Sequence, residues 1–271
     1  MAPHRIRLAY LAADDATSID EAEAMEGERE IRTAVSPDGK HFFYEGVRFA
    51  QEGITAPDLF LSSSSEFVLF TTVGQSLVKA TSNRPDGEYL KSGSFASPLV
   101  SKSSSLRLPD GTVRTFSCGV GGIVSSLYSP VTGTLTQEGT ALVHSHETGI
   151  LCDPAVAALG DGTYFMTYSY HSTNSEPGIR GDDLYGAIST DGANFESTGT
   201  LLRASAATPG VVALGRQIYL YFVDGTGELN STGSIAMGTS YDGGATFNFQ
   251  EVCMGEWQVQ GVFDPAGSLI E

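Results

Sequence analysis

Five times along the chain a short strand-like run ends on serine and gives way at once to a turn. The runs are "IRTAVS" (31–36), "LVKATS" (77–82), "VSSLYS" (124–129), "YGAIS" (185–189) and "IAMGTS" (235–240). The turns that follow them are "PDGKHF", "NRPDGEYL", "PVTGTL", "TDGANF" and "YDGGATF". Four of the next strands close on glycine, at Gly46, Gly93, Gly139 and Gly199, and the fifth, "TFNFQEV", does not. Upstream of four of the serine runs sits a further pair. Its first member is led by proline ("APDLFL", "SPLVS", "DPAVAAL", "TPGVVAL"), and its second is "FVLFTT", "VRTFSC", "YFMTYS" or "IYLYFV". The unit is four strands, A to D, repeated roughly every 45 to 60 residues, the length of one blade of a β-propeller.

The first unit lacks strand A, because the chain starts at strand B, "RIRLAYLAA". A proline-led strand without a partner, "FDPAGSLI", stands at the other end. Joined, the two ends reproduce the order of "DPAVAALGDGTYFMTYS", so the terminal strands are expected to pair and close the ring. The expectation is one all-β domain, a five-bladed propeller of four-stranded antiparallel blades. Its blades fall at about 261–271 plus 4–46, then 54–93, 97–139, 150–199 and 207–251.

The 41% apolar content and 32 glycines fit a turn-rich β fold, and no run of eighteen apolar residues marks a membrane span. No secretory signal is recognisable at the N-terminus, and the compartment stays open. A formal charge of −17 disfavours nucleic acid and anionic membranes as partners. Cys118, Cys152 and Cys253 form no metal-binding spacing and are expected to be buried free thiols. No cofactor is implied. His144 and His146 lack a third convincing ligand, so no metal site is expected either.

Strand direction alternates in such a blade. The start of A, the B–C loop and the D–A loop therefore share one face, and the A–B and C–D turns share the other. Asp38, Asp191 and Asp242 lie in C–D turns, where Asp bonds its own backbone and glycine takes positive φ. They are read as turn formers. On the opposite face the inner strands start at Asp264-Pro265, Ala56-Pro57-Asp58, Ser97-Pro98, Asp153-Pro154 and Thr208-Pro209. Proline suits the first position of a strand. Asp264, Asp153 and Asp58 are expected to converge on the channel, where crowded carboxylates raise one another's pKa. The alternative is that each Asp merely caps its loop. The same face carries Arg48, the acidic stretch 14–30 with Asp15 and a Ser18/Glu21 capping box, His146 and Glu147 just before Asp153, and His171 and Arg180 in the loop after 170. Tyr10, Tyr168 and Tyr170 offer stacking faces for a sugar.

These features resemble the five-bladed propeller glycosidases, the superfamily of arabinanases, xylosidases and invertases. The likeness rests on "DPAGSLIE" and "DPAVAALGDGTYFMTYS". The turn "SYDGGATF" is similar to the Asp-box of sialidases. The resemblance implies a glycoside hydrolase acting on a carbohydrate at the channel mouth. Asp264 would serve as base or nucleophile, Asp153 as its electrostatic partner and Glu147 as proton donor. Asp58, His171, Arg180, Arg48, His146 and Asp15 would line the substrate. The family's glutamate contexts, E-C or E-G-P at a strand start, are absent, as are the Phe-Arg-Ile-Pro motif and arginine triad of true sialidases. A non-catalytic carbohydrate-binding ring and a structural or interaction module are the alternative readings.

Overall fold

The computed structural model describes residues 4–12, 27–63, 65–96, 102–143, 149–172, 182–226, 229, 235–254 and 262–270. Every regular element among them is a β-strand. Blade one comprises β1 (Arg5–Ala12), β2 (Glu28–Ser36) and β3 (Phe43–Glu52). Blade two holds β4 (Ile54–Leu61), β5 (Phe67–Val73), β6 (Ser76–Ser82) and β7 (Leu90–Ala96). Blade three holds β8 (Ser104–Arg107), β9 (Val113–Gly119), β10 (Gly122–Ser129) and β11 (Thr134–Val143). Blade four runs through β12 (Ile150–Ala158), β13 (Tyr164–His171), β14 (Asp182–Ser189) and β15 (Glu196–Arg203). Blade five has β16 (Ala206–Leu214), β17 (Gln217–Asp224), β18 (Ile235–Ser240) and β19 (Asn248–Glu251), and β20 (Val262–Ile270) returns to complete blade one. The five antiparallel sheets form a five-bladed propeller.

The ring closes as the repeat predicts. β20 lies against β1 with Ile6 opposite Leu269, Leu8 opposite Gly267 and Leu11 opposite Phe263. The ladder runs from Arg5–Ile270 to Ala12–Val262 with one slip between Ala9 and Leu11, so β1 is paired on both edges. Blade three departs from the repeat. Its inner strand is the four-residue β8, beginning at Ser104, and not the proline-led strand expected at 97; Ser97 and Pro98 lie outside the described residues.

Strands such as β1, β13, β17 and β18 are buried on both faces, and these faces pack each blade onto the next. Aromatic pairs mark four of the interfaces. Phe60 and Phe70 of blade two meet Tyr128 of blade three, and Phe116 meets Phe195 between blades three and four. Phe165 meets Phe247 between four and five, and Tyr221 of blade five meets Phe42 of blade one edge-on. The fifth interface packs Leu11, Ile31 and Phe49 of blade one among Ile54, Leu69, Val78 and Tyr89 of blade two. These geometries add to burial because aromatic edges and faces carry opposite partial charge.

The serine-ended strands end as they do for a local reason. Ser36 Oγ accepts the Gly39 N–H (2.8 Å) and donates to Asp38 Oδ1, which also accepts the Lys40 and His41 N–H groups. Ser189 with Asp191 and Ser240 with Asp242 repeat the arrangement. These hydrogen bonds hold all three carboxyls well below the usual carboxylate range; at Asp38 burial opposes them. The aspartates are turn formers, as read.

The cysteines correct one expectation. Cys118, at the end of β9, and Cys152, in β12, form a disulfide between blades three and four; Cys253 alone is free. Wide spacing and an odd count hid the pair, because the bond joins residues 34 apart across the interface between two blades.

Two outcomes follow for stability. Ser189→Ala leaves the buried Gly192 N–H without its acceptor and is expected to lower the unfolding free energy by about 1–3 kcal/mol in urea titrations. Gly210→Ala would drive a Cβ into the backbone carbonyl of Pro265 on the neighbouring inner strand. Neither backbone can yield freely, and a loss of about 1–3 kcal/mol is expected by the same measurement.

Candidate functional site

Four of the five inner strands begin with the same backbone irregularity. Asp264, Ala56, Asp153 and Thr208, each the residue before a proline, have φ of 51°, 51°, 49° and 48°. A residue before proline favours an extended conformation, and a non-glycine residue in the left-handed region costs of order 1 kcal/mol or more. At each position the ladder to strand B also slips, between Ala9 and Leu11, Thr55 and Asp58, Cys152 and Ala155, and Ala207 and Gly210. A bulge of this kind bends the strand and re-aims the bulged side chain.

The carboxylates at these strand starts are deeply placed. Asp264 is 2% exposed, and its Oδ2 accepts the Ala56 N–H (3.1 Å) from the neighbouring blade. Burial pushes its carboxyl upward, and Lys102 is the largest opposing influence. Asp58 is also buried, accepting from the Ser105 hydroxyl (2.6 Å), the Ser105 N–H (3.1 Å) and the Ser103 hydroxyl (3.2 Å). Burial raises its pKa too, against those hydrogen bonds and Lys102. Asp153 is less enclosed than either.

At the centre of the group is a residue that the sequence reading missed. Lys102, 3% exposed, donates from Nζ to the Thr208 carbonyl (2.9 Å) of blade five and the Pro265 carbonyl (2.7 Å) of blade one. Burial draws its pKa from 10.5 to about 8, opposed by the charges of Asp264, Asp153 and Asp58 in that order. The serines around it complete the junction. Ser103 and Ser105 bond Asp58 of blade two, while Ser104 Oγ accepts the Val156 N–H (3.0 Å) of blade four. Alternation along the strand sends neighbouring serines to opposite sides. The stretch "SKSSSLR" thus contacts all four other blades. The sequence offered no signal for it beyond a lone lysine in a run of serines.

The remaining candidates divide. Arg48 lies within β3 and not in a D–A loop; its guanidinium donates to Thr33 Oγ1 (2.8 Å) and the Glu45 carbonyl (2.7 Å) of its own blade. His171 ends β13 on the side of the inner-strand starts, with Nδ1 2.8 Å from Asp182 Oδ1. Tyr10 and Tyr168 are buried and offer no face to a sugar; the Tyr168 hydroxyl bonds Ser197. Tyr170 is half-buried and packs edge-on against Tyr185. Glu147, His146, Arg180 and Asp15 lie outside the described residues. Among the described residues one trio has metal-ligand spacing, Cys118, Cys152 and Asp153, and its sulfurs are joined to each other and present no thiolate.

No protein-family model matches the chain, and no curated protein matches it. Solved structures do. An α-L-arabinofuranosidase from Clostridium thermocellum is 14% identical, with 95% of this chain and 92% of that one covered at a TM-score of 0.62. An α-L-arabinanase from Cellvibrio cellulosa, solved with arabinohexaose, is 14% identical over 83% and 93% at 0.61. An endo-1,4-β-xylanase from Bacteroides thetaiotaomicron is 16% identical over 90% of each chain at 0.61. The chain has the fold of the five-bladed propeller glycosidases.

Lys102→Met removes the cation and leaves buried carboxylates uncompensated, a change that costs about 3–5 kcal/mol in comparable buried pairs. The variant is expected to recover part of that loss as pH falls, because the raised carboxyls take up protons before ordinary carboxylates do. In the parent protein the sign is opposite at high pH. The unfolded chain keeps the lysine proton up to about 10.5 and the folded chain releases it at about 8, so this group makes stability rise with pH between the two values. Urea unfolding across pH reads both slopes.

Proposed function

We propose that the protein is a carbohydrate-directed, glycoside hydrolase-like propeller that works at the face where the inner strands begin. The observation that carries the reading is the set of strained, bulged positions that turn Asp264 and Asp153 toward one buried ammonium. Strain of this kind is retained where it serves a site, because it works against stability everywhere else. The likeness to arabinose- and xylan-directed enzymes supports a sugar as the ligand, and the site's hydrogen-bonding groups and the half-buried Tyr170 suit one.

Burial exchanges the roles that the resemblance suggested. Asp153, the more open carboxylate, is the one a glycosidic bond or its attacking water can reach. Asp264 lies deeper and acts on it through Lys102, tuning charge without touching substrate. Glu147, a few residues before Asp153, is the proposed proton donor. Glycosidic cleavage needs one carboxyl to protonate the leaving oxygen and another to deliver water or attack carbon directly. In the family pattern the donor is a glutamate at a strand start, and the pre-proline starts among the described residues carry Asp264, Ala56, Asp153 and Thr208 instead.

A second reading has its own support. Lys102 is committed to two carbonyls and neutralises the carboxylates around it, the arrangement of a ring that binds sugar without cleaving it.

Aryl-glycosides of arabinose and xylose, arabinan and xylan, assayed with the parent and with Asp153→Asn and Asp264→Asn, separate the two. The hydrolytic reading expects turnover that Asp153→Asn lowers by about 10²–10⁴-fold. It also expects turnover to fall above pH 8, where Lys102 loses its proton. Sugar binding with no turnover by the parent supports the second reading. Absence of both defeats the proposal.

A further inference from the structure

The disulfide lies where the ring is least well tied and closest to the hub. Among the described residues blade three has the shortest inner strand, the four-residue β8, and shows no bulge like that of the other four. The covalent bond spans its boundary with blade four, from Cys118 at the end of β9 to Cys152 in β12. Cys152 is the residue immediately before Asp153, at the point where the ladder between β12 and β13 slips. The Asp153 carboxylate lies within 4.8 Å of both sulfurs. Cys118 is buried, whereas Cys152 and Asp153 are only partly so, which gives a small reductant an approach.

We propose that the Cys118–Cys152 disulfide is a redox latch on the hub: closed, it clamps the inner strand of blade four to blade three and fixes Asp153 where its charge acts on Lys102; opened, it frees the segment that carries Asp153 and weakens that counter-charge on the ammonium. The step balances with a dithiol as reductant. Two electrons pass to the S–S bond, which breaks. The dithiol's two protons end on the cysteine sulfurs, and the dithiol leaves as its own disulfide. Lys102 is the natural reporter. The groups that set its charge are Asp264 of blade one, Asp58 of blade two and Asp153 of blade four, together with the Thr208 and Pro265 carbonyls; Arg29 acts on Asp264 in turn. Only Asp153 is attached to the latch. The inference concerns the charge state of the hub and stands apart from whether the ring cleaves sugar or only binds it.

The test uses the full chain labelled with ¹³C-lysine, whose four lysines are Lys40, Lys79, Lys91 and Lys102. The Cε resonance of Lys102 is titrated before and after dithiothreitol, with thiols counted by alkylation and mass spectrometry and the fold followed by circular dichroism. The oxidised protein is expected to titrate near pH 8 at Lys102. The reduced protein is expected to titrate about one pH unit lower, the size of effect an adjacent opposite charge exerts. Oxidised Asp153→Asn should show the same downward shift, and reducing that variant should add nothing. The proposal is overturned by an unchanged Lys102 midpoint in reduced, folded protein. It is equally overturned by an Asp153→Asn variant that titrates like the parent, or by loss of the β signal on reduction, which would make the bond a general staple.

Discussion

The side chain of Lys102 leaves blade three, and its ammonium meets the start of the inner strand of every other blade. It bonds carbonyls of blades one and five and carries the counter-charge for carboxylates of blades one, two and four. A propeller is otherwise a nearest-neighbour structure, each blade resting on two others, and such repeats tend toward sums of local stabilities. A shared central charge changes that. Two of the carboxylates are buried, and their proper neutralisation needs the ring assembled around one cation. The hub therefore couples blades that do not touch, and it does so electrostatically.

The same geometry explains why the inner strands tolerate a conformation that their sequence disfavours. Four residues before prolines are held in the left-handed region, each at a bulge. The next residues re-enter the strand in register, so the core below is undisturbed and the distortion stays at the mouth. What the strain produces is aim. Asp264 reaches the Ala56 N–H across the blade boundary, and Asp153 is turned toward Lys102 and the disulfide. Rigid strands set the position and a single torsion sets the direction, which leaves little for the surrounding loops to determine.

Much of this was legible in the sequence, and what was not shares one cause. The serine-ended strands, the aspartate turns and the paired terminal strands are local patterns that recur, and recurrence exposes them. Asp264 and Asp153 stood out because they occupy equivalent positions, each just before the proline of its inner strand. Lys102 stood out nowhere: it lies just ahead of the four-residue β8, and its partners come from distant segments. The disulfide was hidden for the same reason, since Cys118 and Cys152 become neighbours only when blades three and four are stacked. Arg48 erred in the opposite direction, a charged residue credited to a loop when the strand in fact continues through it. Local periodicity reveals the blades; the contacts between blades, where the chemistry lies, depend on which residues break the period.

The seam between β1 and β20 carries a consequence for how the chain is made. β1 is among the first strands to emerge during synthesis, and its pairing partner is among the last. Until then one ladder edge of the apolar β1 stays open, and the innermost layer of blade one is missing. Closing so long a loop is slow, and an unpaired apolar edge is the usual starting point for misassembly between chains. Blade one is thus the last to be completed although most of it is translated first, and crowding on the ribosome is the condition under which this architecture is most exposed.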